Sequence, residues 1–177
     1  MVSSVTPPAR VVVPSPGNYR IDPQRCTITF ATRHLFGLGA VNGTFALREG
    51  TIHVADPVQD SWARAAISVA GFRSGNPGRD AAVLSDRLLA AERHPDIAFA
   101  STRLECHGER WVLRGSLSVR GITREISVPV DASSATGTEL RVNASLRIDR
   151  FEFGIRHARG LAARYLDLQL DIAADMA

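Results

Sequence analysis

The sequence predicts an all-β fold, an eight-stranded antiparallel barrel carrying one helical insertion. Three observations predict it. Apolar residues alternate with polar or small ones in segment after segment, as in strands that bury one face. These segments number about eight and are joined by short links, as a sandwich or barrel requires. A single stretch, 76–94, breaks the alternation and carries helix signals instead.

Residues 1–17 hold Pro7, Pro8, Pro14, Pro16 and Gly17 and read as a flexible or extended arm ahead of one domain, 18–177. Alternation begins with Cys26, Ile28 and Phe30. It continues in Val41, Gly43, Phe45, Leu47 and in Ala63, Ala65, Ile67, Val69. Asn76 is placed to cap a helix whose first position is Pro77. Ser85-Asp86 marks a break within it, and Pro95 ends it. Ile97 and Phe99 lie in a strand of ambiguous parity. Trp111 to Val119, Ile126 to Val130, Leu140 to Ile148 and Leu166 to Ile172 complete the set.

Composition narrows the class. The chain has 177 residues, 45% hydrophobic and 22% charged, which is globular and not disordered. No run approaches the roughly 18 apolar residues of a membrane helix. Only three consecutive valines precede Pro14, whereas a secretory leader needs roughly 7–15 apolar residues, so a cytoplasmic protein is expected. All 21 basic residues are arginine, and the net charge is +3. They are spread along the chain, not gathered into a run, which argues against a nucleic-acid partner. Cys26 and Cys106 fit no metal motif, and the five histidines show no HxH or HExxH spacing, so no metal is expected.

Topology turns these patterns into a site. If the strands run up and down, His34, Arg124 and Arg150 fall at one end of the barrel. All three share the parity of the buried face and are expected to point into that mouth. The structural alternative is that His34 is a core histidine and that the arginines pair with Asp80, Glu125 or Glu152 to close the barrel end. Ile28, Phe30, Phe45, Phe99, Leu117, Val119 and Leu168 are the expected lining. Ala63, Ala65, Gly115 and Ala144 leave room beside them. An apolar tube with a cationic rim suits an amphiphile. Each buried methylene contributes about 0.8 kcal/mol, so a long tail needs few polar contacts.

The motifs resemble a known family. Tyr19-x-Ile21-Asp22-Pro23, Phe30-x-x-x-His34 and Gly43-x-Phe45 resemble the start of the YceI-like, polyisoprenoid-binding family. Arg79-Asp80, Leu84, Leu88 and His94-Pro95-x-Ile97-x-Phe99-x-Ser101-Thr102 resemble its middle. Gly115-x-Leu117-x-Val119-x-Gly121-Ile122-Thr123-Arg124 and Asp149-Arg150-x-x-Phe153-Gly154-Ile155 resemble its later motifs. The likeness spans about 19–174. It implies a lipocalin-like barrel with an intervening helix, a long isoprenoid or similar lipid inside, and a homodimer. Carried over by position, it marks His34, Arg79, Asp80, Phe99, Arg124, Arg150 and Phe153. Against the family pattern, no run reads as the cleavable leader expected of many periplasmic relatives, Leu88-Leu89-Ala90-Ala91 stands where an aromatic stretch is usual, and the loop 156–160 is unusually basic.

The expected function is therefore to carry or sequester an apolar amphiphile: a polyisoprenoid or its phosphate, a quinone or a fatty-acyl lipid. No cofactor beyond that lipid is expected. One alternative is a barrel enzyme of isomerase or cyclase type, with His34 as acid or base beside Arg124 or Arg150. Another is a protein-interaction module relying on the arm. The Arg-rich 150–164 segment reads first as a solvated loop and second as a contact with an anionic membrane surface.

Overall fold

The computed structural model describes residues 10–34, 39–157 and 163–177, and of His34 the backbone. Among these residues are nine strands and one α-helix: β1 (Gly17–Ile21), β2 (Thr27–His34), β3 (Gly39–Val54), β4 (Trp62–Arg73), α1 (Pro77–Leu84), β5 (Asp96–His107), β6 (Arg110–Val119), β7 (Ile122–Thr136), β8 (Glu139–Asp149) and β9 (Tyr165–Met176). Strands β2 to β9 form an up-and-down meander that closes where β2 pairs with β9. Closure leaves no long free edge to aggregate.

The ninth strand does not widen the barrel. β2 pairs with β3 over Gly39–Phe45 and with β9 over Asp167–Asp171. β1 pairs with the same two neighbours further down, at Thr51–Val54 and Ala174–Met176. β1 and β2 therefore share one strand position, interrupted by a 3-10 turn at Pro23–Arg25. Asp22 builds this break: its carboxylate accepts from Gln24 N and from Arg25 Nε, and Pro23 brings no N–H to a ladder. Sequence periodicity alone missed β1, because it is short and flanked by proline.

The insertion is shorter than its expected span. Asn76 accepts from Arg79 N at 3.0 Å and Pro77 opens the helix, but α1 stops at Leu84. Ser85 turns both its N–H and its hydroxyl back onto the Ala82 carbonyl. Ala90 then adopts a left-handed φ of 50°, and residues 85–93 form turns rather than helix. Asp80 accepts from the Ser74 N–H and hydroxyl, which ties the helix to the end of β4.

The expected arm is partly tied down. Arg10, Val11 and Val12 run beside Ser133 of β7, with Val12 N donating to the Ser133 hydroxyl at 2.9 Å and Ser133 N donating to the Arg10 carbonyl. β7 is longer than β6 at this point, so the segment satisfies a short length of otherwise unpaired edge.

Two apolar clusters plug the barrel. Tyr19, Ile21, Val54, Leu140 and Ala174 close one end. Leu89, Val119, Ile148, Phe153 and Ile155 close the other, where α1 and the 150–157 loop lie.

Candidate functional site

Between the plugs lies a cavity of about 240 Å³ whose exposed lining is wholly apolar. Its walls come from β2 to β9 because inward residues alternate along each strand and cross-strand partners share a face. Ile28, Phe45, Phe99, Leu117, Val119, Phe153 and Leu168 line it, as do Ala63, Ala65 and Ala144. Five of these sit in registers that place them side by side: Ile28 opposite Phe45, Ala65 opposite Phe99, and Phe99 opposite Leu117.

Two expected lining positions turn out differently. Phe30 is buried but does not line the cavity. Its ring stacks on Phe72 at 5.2 Å and tilts against Phe45 at 5.6 Å, forming a separate aromatic cluster. The cause is Gly43, directly opposite, where a Cβ would fall 2.4 Å from the Phe30 ring. Phe30 lies over the glycine instead of projecting inward. Gly115 likewise leaves no room in the cavity, because the Phe99 ring already fills the space above it.

The three expected mouth residues lie at one end by topology, since β2 and β8 end there and β7 begins there. Their side chains behave differently. Arg150 is buried at 6% exposure. Its guanidinium donates to the carbonyls of Ala163, Ile155 and His157 at 2.8–2.9 Å. The charge is thus satisfied by backbone dipoles, as burial demands, and Arg150 ties Ile155, His157 and Ala163 together. Neither carboxylate pairing nor a free inward cation describes it. Arg124 stands opposite Leu117, on the inward register, but is exposed and donates to the Thr123 carbonyl beside it. At the strand end its long side chain reaches water rather than the cavity. The His34 side chain, and most of the basic loop 156–160, lie outside the described residues.

Two ion pairs lie near the mouth. Arg164 Nε donates to Asp149 Oδ2 at 2.8 Å, and this guanidinium holds the Asp149 carboxyl below its ordinary range. Arg147 does the same to Asp167. Arg164 also lies over the rings of Phe151 and Tyr165.

A second depression was not foreseen. It holds about 590 Å³ on the side of the barrel, at the break between β1 and β2, and is lined by Arg20, Arg48 and Arg64 among others. Ile21, Arg64, Ala65 and Phe99 line both it and the interior cavity. Its sequence signal was weak: the three arginines are far apart in the chain, and nothing in the local pattern marks the wall break.

Fold and interior together define a closed antiparallel barrel with an apolar internal cavity, an architecture suited to holding an apolar molecule. The model of the YceI-like domain matches residues 19–174, and the chain belongs to that family. A UPF0312 protein of Photorhabdus laumondii is 26% identical over 164 residues, covering 88% of this chain and 84% of its own. A UPF0312 protein of Serratia proteamaculans is equally similar over the same shares. Among solved structures, Burkholderia cenocepacia BcnA superposes with a TM-score of 0.75 at 17% identity, over 86% of this chain and 98% of its own. A polyisoprenoid-binding domain from Saccharophagus degradans, implicated in plant cell wall breakdown, superposes with a TM-score of 0.70 at 13% identity, over 92% and 100%. At these identities the likeness is one of fold.

Proposed function

We propose that this protein binds and carries, or sequesters, an apolar amphiphile whose hydrocarbon chain occupies the barrel. The observation that carries the reading is the cavity between the two plugs, whose exposed surface is apolar. Membership of the YceI-like family and the fold shared with a polyisoprenoid-binding domain support it. The cavity lies just below the 300–1,000 Å³ range typical of ligand pockets. A long polyisoprenoid therefore requires the barrel to expand, whereas a short prenyl or acyl segment fits with little change. Binding rather than turnover is the reading, because among the described residues the lining holds no nucleophile and no acid–base pair. Its two arginines are Arg64 and Arg150, and Arg150 is engaged by carbonyls.

Native mass spectrometry of the purified protein, followed by solvent extraction, tests the reading. The expected result is an adduct that releases a prenyl or acyl lipid, or uptake of dodecanol by lipid-free protein. A protein that carries no lipid and takes up none would overturn it.

A further inference from the structure

The lateral depression carries two exposed guanidiniums and a hydroxyl on one face of the sheet. β1 pairs with β3 so that Arg20 stands opposite Thr51, and β3 pairs with β4 so that Thr51 stands opposite Arg64. Cross-strand partners share a face, and strands lie about 4.8 Å apart. Arg20, Thr51 and Arg64 thus form a row across three strands, with a hydroxyl between two guanidiniums. The row below it, Asn18–His53–Trp62, confirms the shared face: Asn18 and His53 are hydrogen-bonded at 2.7 Å, and His53 stacks on Trp62 at 5.5 Å.

Both arginines are exposed. Neither has a carboxylate partner among the described residues; Arg64 lies over the Trp62 ring, 5.2 Å from its centroid. Arg48, also at the depression, is taken up by Asp96, and Glu49 is the acidic residue on the rim.

The next row inward explains how this surface meets the interior. Gly50 stands opposite Ala65, and Ala65 opposite Phe99. The register slips between Leu47 and Glu49. On the other side of β3 the 3-10 turn replaces the ladder, so β3 pairs with neither β1 nor β2 between Phe45 and Thr51. Ile21 packs onto Gly50, where a Cβ would fall 2.6 Å from its Cδ1. The wall here is thin, made of Gly50, Ala65 and Ile21, and of these Ala65 and Ile21 also line the cavity behind it.

The geometry points to Arg20, Thr51 and Arg64 as the site for the anionic head group, phosphate or carboxylate, of the amphiphile whose chain enters the barrel past Ile21 and Ala65. This rests on the amphiphile reading above and adds where the head group sits: at the side of the barrel, not at the Arg124–Arg150 end. Two arginine forks and a hydroxyl match a tetrahedral or planar oxyanion.

Affinities of lipid-free protein for dodecyl phosphate and dodecanol at low salt test this, in the wild type, R20Q/R64Q and R124Q. Wild type and R124Q are expected to favour the phosphate by about tenfold or more, equivalent to about 1.4 kcal/mol. R20Q/R64Q is expected to lose that preference, read as the ratio of its two affinities. A preference that survives in R20Q/R64Q, vanishes in R124Q, or is missing from the wild type overturns the site. Inorganic phosphate at 1 mM is expected not to displace dodecyl phosphate; full displacement would make the row a free-anion site and overturn the head-group assignment. Failure of the wild type to bind dodecanol at all would overturn the amphiphile reading itself, so the two failures are distinct.

Discussion

The ring of Phe99 occupies the space above Gly115: a Cβ built on that glycine would lie 2.8 Å from the ring and 2.6 Å from the Ala100 carbonyl. Phe99 also lines both the cavity and the lateral depression, so a backbone position on β6 sets the shape of a binding wall on β5. Gly115→Ala is expected to cost about 1–3 kcal/mol through overpacking and to push the ring into the cavity. Denaturant melts and uptake of a fluorescent fatty acid check this. Unchanged stability and unchanged uptake together would refute it.

Ala144 is buried at 6% exposure and lines the cavity between Val130 and Leu170. Ala144→Leu fills part of the void with apolar volume. Affinity for dodecanol should fall at least tenfold while thermal stability holds or rises, since filling a cavity recovers packing contacts. Calorimetric titration beside a thermal melt reads both quantities. Undiminished affinity would mean the chain does not sit in this cavity.

Arg150 serves three carbonyls from the loop it stabilises. Arg150→Met keeps the apolar stem but strands buried acceptors, which predicts a loss of about 2–3 kcal/mol. Arg150→Lys is expected to rescue only part of it, because an ammonium cannot span a forked set of acceptors. Chemical denaturation gives the magnitude. Faster amide exchange at Ile155, whose N–H donates to the Arg150 carbonyl, would localise the effect to the loop.

Asp22, Glu105, Asp149 and Asp167 are all held below their ordinary carboxylate range, first by hydrogen bonds from Arg25, Arg114, Arg164 and Arg147 respectively. A depressed carboxylate stabilises the fold above its unfolded-state pKa, and that stabilisation is lost as pH falls through the folded value. From these groups the melting temperature is therefore expected to be flat between pH 5 and 8 and to drop below about pH 4. Asp149→Asn should make the acid limb shallower. A melting temperature that instead falls between pH 8 and 6 would point to a different titrating group.

Much of the barrel was legible from period-two alternation. Each strand buries one face, so Ile28, Phe45, Leu117 and Leu168 announced an inward row before any contact was known. The helix start at Asn76-Pro77 was equally local and equally visible. Phe30 and Gly115 were misjudged for a single reason: a glycine opposite or diagonal to an aromatic ring changes where that ring lies, and partnership across strands cannot be read from either strand alone. The surroundings of the two mouth arginines were hidden for a similar reason. Parity placed Arg124 and Arg150 on the inward register, but not the carbonyls that absorb one guanidinium or the water that takes the other.

By itself, then, the chain determined its class, its strand parity, its single helical insertion and the apolar character of its interior, because all four are written in neighbouring residues. Only the tertiary structure decided that β1 and β2 share one place in the wall, that β3 goes unpaired on that side at the break, and that Arg20 and Arg64 flank Thr51 there. Register and bulges depend on hydrogen bonds between separate strands, and no local pattern specifies which residues meet across them.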